Sequence, residues 1–251
     1  MHMGLSYPTA VTVLGRRLPG DADTFRRMVR AVDLQAGERV ALLGAAEGET
    51  AKILAREAGA QVTALEWDLP LYGALEARIR TEGLAGRVTA RQVDIEAMPA
   101  GNFEAVIVET LPPRGDLLTF LEHLRRLLGL NGRLALVLPA SVGLGVAAPV
   151  AAFWSEELGF PFARPATLMS LLEQARFEPL WAESLNEDQV AEYYRVLETR
   201  LPQADPAYAE RQRVAIDLFR NQGGRRCSTF VMLAARRREP GEKPPMARTP
   251  G

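Results

Sequence analysis

Residues 40–50 read VALLGAAEGET, a short apolar run that enters a glycine-containing turn and continues into a helical pattern. Glycine at Gly44 and Gly48 lets the backbone turn tightly and approach a ligand closely. Free N–H groups at the start of the following helix favour a carboxylate or a phosphate. The segment predicts a strand, a turn and a helix with a ligand at the turn, although the Gly-x-x-x-Gly spacing also fits an ordinary strand-to-helix connection.

On both sides of this turn, short apolar runs alternate with helical patterns. Strands are predicted at 39–44, 61–66, 87–94, 103–109 and 133–138. Helical spacing fills the intervening segments 49–58, 69–82 and 116–128. Nearly continuous Val, Leu and Ile in such strands indicates burial on both faces, as in a parallel sheet covered by crossover helices. The pattern predicts an α/β fold with a doubly wound sheet.

The second half of the chain is richer in helices. Helical patterns at 150–158, 165–175, 187–201 and 207–221 surround one strand at 177–183, and a strand at 226–235 closes the ordered chain. The helix pair at about 186–221 is predicted to be an insertion that forms a lid or substrate wall over the carboxyl edge of the sheet.

Domain boundaries follow from composition. Residues 1–20 are punctuated by glycine and proline and predict an irregular arm ahead of a first helix at 22–32. Residues 240–251 are rich in proline and poor in large apolar groups, which predicts a disordered tail. One domain is expected to span 21–239.

Composition excludes several classes of function. The 251 residues are 47% hydrophobic and carry a formal net charge of -1, so no overall field would gather nucleic acid or an anionic membrane. A single cysteine, Cys227, excludes an internal disulfide, and with only His2 and His123 as imidazoles we expect no metal site. The longest apolar run is strand-sized and no secretion signal is evident, so a cytoplasmic protein with no membrane contact is expected.

Two acids end predicted strands. Glu66 follows Gly44 by twenty-two positions, where an acid can accept hydrogen bonds from both hydroxyls of a ribose. Asp94 ends the third strand, where its carboxylate can accept from the exocyclic amine of an adenine while Ile95 offers an apolar face. For Asp94, a helix cap or a turn is an equally good interpretation.

At this point the chain resembles the class I, Rossmann-like methyltransferases, which use S-adenosylmethionine. The matching features are the loop 40–48, Glu66, Asp94, the fourth strand at 103–109 and the turn 127–134 into strand five. The resemblance covers about 37–138 and, less specifically, a closing strand near 223–233. It implies a mostly parallel seven-stranded sheet with an antiparallel last strand, S-adenosylmethionine as cofactor with S-adenosylhomocysteine as product, and no metal.

The resemblance also assigns residues to the parts of the cofactor. The methionine part would lie at Gly44, Ala45, Ala46 and Gly48, the ribose at Glu66, the adenine near Trp67, Asp94 and Ile95, and the sulfonium and substrate would meet at Glu109 and Thr110. Three positions depart from the family pattern, since members usually have an acid in place of Leu42, a glycine in place of Ala46 and an aspartate in place of Glu104. Weakened cofactor binding, or none, is the hypothesis that these departures raise.

No residue is diagnostic of the chemistry, because methyl transfer depends mainly on positioning a nucleophile in line with the sulfonium. His123 is predicted to be structural. Tyr193 and Tyr194 are predicted to line the substrate, with packing of the lid as an equally good interpretation for them and for the other aromatic residues Trp154, Trp181 and Tyr208. Adjacent residues lie about 100° apart on a helix, so at most one of the two tyrosines should point squarely into a shared pocket.

Three hypotheses of function follow. The first is S-adenosylmethionine-dependent methyl transfer to a small-molecule acceptor by a protein that forms no nucleic-acid complex and for which a homodimer is one compatible assembly. The second keeps the fold but drops the reaction, giving a catalytically silent binding or scaffolding protein. The third is a nicotinamide-dependent oxidoreductase, which the spacing of Gly44 and Glu66 permits but which the missing Gly-x-Gly-x-x-Gly disfavours.

Overall fold

The computed structural model describes residues 10–92, 98, 100–110, 117–239 and 241. The strands are β1 Arg39–Leu43, β2 Gln61–Leu65, β3 Val88–Arg91, β4 Phe103–Val108, β5 Leu128–Ser141, β6 Phe177–Ser184 and β7 Ser228–Arg237. The helices are α1 Ala22–Ala31, α2 Glu49–Arg56, α3 Leu69–Thr81, α4 Leu117–Leu127, α5 Ala148–Leu158, α6 Pro165–Gln174, α7 Glu187–Arg200, α8 Pro206–Asn221 and the short α9 Gly224–Cys227.

The seven strands form one sheet in the order β3-β2-β1-β4-β5-β7-β6. The first five pair in parallel, whereas β7 pairs antiparallel with both β5 and β6. The predicted doubly wound sheet with an antiparallel last strand is therefore confirmed. Winding reverses between β1 and β4, and in open α/β sheets ligands bind outside the carboxyl ends of the strands at such a switch point.

Both faces of the sheet are covered. In β1, Val40 and Leu42 pack on one face with residues of α1, α2, α3, α5, α7 and α8. Ala41 and Leu43 pack on the other face with residues of α4 and α6. This three-layer packing explains why the strands read as continuous apolar runs rather than as alternating ones.

The predicted start of the fifth strand was wrong. Instead of beginning at 133, β5 begins at Leu128, and its register against β4 shifts between the pairs Phe103–Leu128 and Ala105–Arg133. Asn131 has a left-handed φ of 57° inside this bulge. Gly129 and Gly132 flank Asn131, a composition that is typical of a turn, and for this reason the sequence did not predict the bulged strand.

The helix pair α7 and α8 lies between β6 and β7 in the chain, as predicted, and is called the lid from here on. Asn186 begins α7 with a capping box, because its side chain accepts from the Gln189 N–H and the Gln189 side chain accepts from the Asn186 N–H. Gln189 also donates to Thr24 Oγ1 over 3.1 Å, which ties α7 to α1. None of the helices in the described part of the chain is both long and apolar enough to cross a membrane.

Residues 10–20, named the arm from here on, precede α1. Their backbone forms an isolated antiparallel bridge between Val13 and Arg16 around a tight turn in which Leu14 and Gly15 have positive φ. Thr12, Val13, Arg16 and Leu18 are buried. The predicted tail at 240–251 lies outside the described residues except for Gly241.

Candidate cofactor site

The turn after β1 has a left-handed backbone at three positions, with φ of 74° at Gly44, 50° at Ala46 and 89° at Gly48. A Cβ on Gly44 would lie 2.8 Å from Thr110 Cβ and 3.2 Å from the Glu109 carbonyl oxygen. The ends of β1 and β4 therefore approach so closely that only glycine fits between them. This close approach holds Thr110 and Glu109 beside the turn, and their contact with a sulfonium and a substrate stays a prediction.

Ala46 adopts a strained backbone conformation in the turn. A non-glycine residue in the left-handed region is disfavoured by roughly 1 to 2 kcal/mol, yet this one is fully buried. It belongs to a small buried cluster with Ala10 of the arm and Leu71, against which Tyr208 packs. The side chain that departs from the family pattern is thus a contact surface for the arm.

Glu66 lies at the carboxyl end of β2 and is fully buried. Its Oε2 accepts from the Ala46 N–H at 2.8 Å and its Oε1 accepts from the Asp68 N–H at 2.8 Å. Arg17 of the arm binds the same carboxylate through one edge of its guanidinium, with Nη2 at 2.5 Å from Oε1 and Nε at 3.4 Å from Oε2. The protein's own arginine thus binds the acid that the sequence assigned to the ribose, and that assignment stays a prediction.

Glu109, one residue beyond β4, also lies beside an arginine of the arm. Its Oε1 accepts from Thr50 Oγ1 at 2.6 Å and lies 4.0 Å from Arg16 Nε, which itself donates to Thr50 Oγ1. The Arg16 guanidinium also lies over the Phe25 ring, 4.4 Å from its centroid. Glu109 Oε2 and Arg16 Nη2 have no hydrogen-bond partner among the residues that the structure describes.

Burial shapes the electrostatics of this pair. Desolvation raises the pKa of Glu109 to about 7, against the opposing effects of Arg16 and Thr50. Desolvation likewise lowers the pKa of Arg16, although the charge of Glu109 acts in the opposite direction. Each arginine of the arm thus lies beside an acid at a strand end: Arg17 lies beside Glu66 after β2, and Arg16 lies beside Glu109 after β4.

Further hydrogen bonds fix the arm between the turn and the lid. On the turn side, Gly15 O accepts from the Glu47 N–H at 3.2 Å, and Thr12 Oγ1 donates to the Glu47 carboxylate. At the arm's start, the Ala10 N–H donates to Asp68 Oδ2 at 2.9 Å. On the lid side, Tyr193 Oη donates to the Arg17 carbonyl oxygen at 2.7 Å.

The two tyrosines predicted to line the substrate are both buried in the packing of the lid. Tyr193 reaches the arm, whereas the Tyr194 ring packs against Phe219 with centroids 5.0 Å apart. Burial raises the pKa of both phenols, and it raises that of Tyr208 to about 12. Their different directions agree with the expected angular separation of adjacent helical residues, while their contact with a substrate stays a prediction.

The remaining predicted residues fall into two groups. Ala45 and Gly48 are buried in the turn, Trp67 is half-buried after β2 with its carbonyl oxygen accepting from Gln92 Nε2, and Thr110 is half-buried. Asp94 and Ile95 lie outside the described residues. In the part of the chain that the structure describes, no group of three His, Cys, Asp or Glu side chains is arranged to hold a metal ion.

Arg16 and Arg17 were missed by the sequence analysis. A buried carboxylate requires a cation or several donors, so two acids at the ends of β2 and β4, the strands on either side of β1, imply basic partners from elsewhere in the chain. The adjacent arginines in an otherwise mostly uncharged arm were the available signal. Because the arm has no helical or strand period, the sequence did not predict which elements it would contact.

No protein-family model matches the sequence, and no curated protein matches it significantly. Solved structures do match. A SAM-dependent methyltransferase from Thiobacillus denitrificans in complex with S-adenosyl-L-homocysteine is 16% identical with a TM-score of 0.73, covering 89% of this chain and 94% of that one. A SAM-dependent methyltransferase from Geobacter sulfurreducens, in the same kind of complex, is 16% identical with a TM-score of 0.73, covering 90% and 95%.

The chain therefore has the class I, Rossmann-like methyltransferase fold. The [4+2]-cyclase SpnF is also similar, at 18% identity and a TM-score of 0.65, covering 93% of this chain and 87% of that one. Because proteins described as methyltransferases and as a cyclase share this architecture, the fold does not decide the reaction, and the function must be argued from the site.

Proposed function

We propose that the protein is an S-adenosylmethionine-dependent methyltransferase that acts on a small-molecule acceptor. The observation that carries the proposal is the fully buried Glu66 at the end of β2, fixed by the Ala46 and Asp68 N–H groups beside the left-handed turn. An acid held by two backbone donors keeps its orientation, which suits the recognition of a ribose.

The other residues of the cleft fit the rest of this cofactor. Glu109 offers a buried oxygen with no partner among the described residues, an acceptor suited to the positively charged methionine end. Bound S-adenosylmethionine supplies an activated methyl group on a sulfonium. The chain's own part in the reaction is to bind, orient and exclude water, because in-line positioning provides much of the rate of such a transfer.

The test must separate the cofactor's use of Glu66 from that of Arg17. In an Arg17→Gln background, Glu66→Gln alters an acid that the arm's guanidinium no longer binds. We expect S-adenosylhomocysteine to bind the Arg17→Gln protein and the added Glu66→Gln to weaken that binding by about 1 to 3 kcal/mol, or roughly 5- to 150-fold, measured by isothermal titration.

Glu104→Gln in the same background is the matched control. Glu104 is also a strand acid paired with an arginine, Arg39, but it lies at the amino end of β4, away from the turn. Its replacement should leave the affinity unchanged. Equal affinities of the Glu66 and Glu104 double variants would refute the assignment of the ribose to Glu66.

A second candidate, the catalytically silent binding protein, is favoured by the arm itself. Arg17 already pairs with Glu66, and Ala46 is buried in one cluster with Ala10 of the arm, where the cofactor's methionine part would lie. Failure of the Arg17→Gln protein to bind either S-adenosylmethionine or S-adenosylhomocysteine would select this candidate over the enzyme.

A further inference from the structure

We propose that the arm is an intramolecular competitor of the cofactor: Arg17 occupies the Glu66 carboxylate that a ribose requires, so docking of the arm and binding of the cofactor exclude each other. This inference rests on the proposed function. It assigns to residues 10–20 the role of a gate, which the fold alone does not imply.

The first argument is the capacity of the Glu66 carboxylate. Its two oxygens offer about four acceptor sites, and four donors are present, namely the N–H groups of Ala46 and Asp68 and the Nε and Nη2 atoms of Arg17. The backbone donors belong to the turn after β1 and to the residue that caps α3, so they cannot leave without unfolding those elements. Two ribose hydroxyls can therefore enter only by replacing the guanidinium.

The second argument is that Arg17 can leave at a modest cost. Its side chain is 13% exposed, whereas those of Glu66 and Arg16 are 0% and 3% exposed. Withdrawal of Arg17 moves its charge outward into water, while the hydroxyls of a ribose provide Glu66 with new donors. Asp68, whose Oδ2 lies 4.0 Å from Arg17 Nη2, keeps the Leu71 N–H that donates to its Oδ1. Neither acid is then left without a hydrogen-bond donor, and a buried charge without one is what makes breaking a buried ion pair costly.

The third argument is that the lid holds the arm at the same residue. Tyr193 Oη on α7 donates to the Arg17 carbonyl oxygen over 2.7 Å. Docking of the arm and closure of the lid over it are thereby linked through Arg17. The hydrogen bond from Tyr193 to the Arg17 carbonyl oxygen, called the latch from here on, does not involve the Glu66 carboxylate. A change at Tyr193 can thus alter the gate while the acid that would bind the ribose stays intact.

The chain offers a matched pair of variants for the test. Tyr193→Phe removes the hydroxyl that binds the arm, and Tyr194→Phe removes a hydroxyl from the next residue, whose described contacts are ring contacts with Phe219 and Tyr193. If the arm competes with the cofactor, the apparent affinity rises with the fraction of molecules in which the arm is undocked. Loss of one buried hydrogen bond of about 1 kcal/mol raises that fraction about fivefold.

The experiment is a titration of S-adenosylhomocysteine into the wild type, Tyr193→Phe, Tyr194→Phe and Arg17→Gln. We expect about fivefold tighter binding in Tyr193→Phe, at least as large a gain in Arg17→Gln, and a change of less than about twofold in Tyr194→Phe. If Tyr193→Phe does not fold, the comparison of Arg17→Gln with the wild type carries the test.

A second measurement needs no cofactor. Trypsin cleaves after Arg16 and Arg17, and both residues are held in the docked arm, so cleavage there should be faster in Tyr193→Phe than in Tyr194→Phe. Equal cleavage rates would overturn the latch. Equal and measurable affinities in all four proteins would overturn the competition and leave the methyltransferase proposal standing, whereas no binding in any of them, Arg17→Gln included, would overturn both.

Discussion

At the end of β4, the Glu109 carboxyl is buried in a pocket where desolvation outweighs its cation. Its pKa of about 7 in the folded protein exceeds the ordinary value of 4.5. Between these values the native state holds the proton more tightly than the unfolded chain, so the free energy of unfolding should fall as the pH rises from about 4.5 to about 7. A shift of this size corresponds to roughly 3 kcal/mol.

Urea denaturation of the wild type and Glu109→Gln at several pH values from 5 to 8 measures this effect. The variant should lack the part of the pH dependence that Glu109 contributes, because an amide does not titrate. The attraction between Arg16 and Glu109 exists only where Glu109 is ionised and is already contained in its pKa, so losing it in the variant adds no separate pH dependence. Parallel pH profiles for the two proteins would contradict the buried, proton-binding carboxyl.

Ala46 combines backbone strain with useful packing. Changing Ala46 to glycine relieves the left-handed strain but removes a buried methyl group worth about 1 kcal/mol, so we expect the free energy of unfolding to change by less than about 1 kcal/mol. The same change removes a methyl group from the cluster that contains Ala10 and opens the turn, so S-adenosylhomocysteine should bind several-fold more tightly.

Ala45→Gly is the control for this prediction. Ala45 is equally buried and lies in the same turn, but it is not part of the cluster that contains Ala10. Its replacement should lower stability by about 1 kcal/mol without tightening the binding. Calorimetric titration and urea denaturation measure both quantities, and an Ala46→Gly protein that binds no better than Ala45→Gly would contradict the role given to the methyl group.

Among the elements, α7 is the lid helix that forms hydrogen bonds with α1 and with the arm. Replacing Asn186 with alanine removes the capping box and should lower the free energy of unfolding by about 1 kcal/mol in urea denaturation. Glu192→Ala on the same helix breaks only an exposed pair with Arg195 and should change stability by less than about 0.5 kcal/mol. Equal losses in the two variants would show that the cap does not hold α7.

Most of these elements could be predicted because each has a local signal. The apolar periods placed the eight long helices and most strands, and the glycines and acids at strand ends predicted which side chains meet at the turn after β1. The bulge at the start of β5 has no such signal, since its glycines are typical of a loop. The third strand was predicted at 87–94, but Arg87 and Gln92 lie outside β3, while residues 93 and 94 lie outside the described chain and stay a prediction.

On the scale of the whole molecule, the contacts that could not be predicted are those between segments far apart in the chain. Arg17 and Glu66 are separated by 49 positions, and Tyr193 and Arg17 by 176. No period or spacing encodes such pairs, and an arm without regular structure offers no register from which to derive them. The sequence could indicate where a cofactor belongs but not that the arm lies there.

Hydrogen exchange in the arm, with and without S-adenosylhomocysteine, tests the central claim most directly. The amides of Ala10, Val13 and Arg16 are hydrogen-bonded in the docked arm, to Asp68 and across the bridge. We predict slow exchange at these amides in the free protein and faster exchange when the ligand is bound at saturation. Saturation with unchanged protection of the arm would contradict the account, because the ligand would then bind without displacing Arg17 from Glu66.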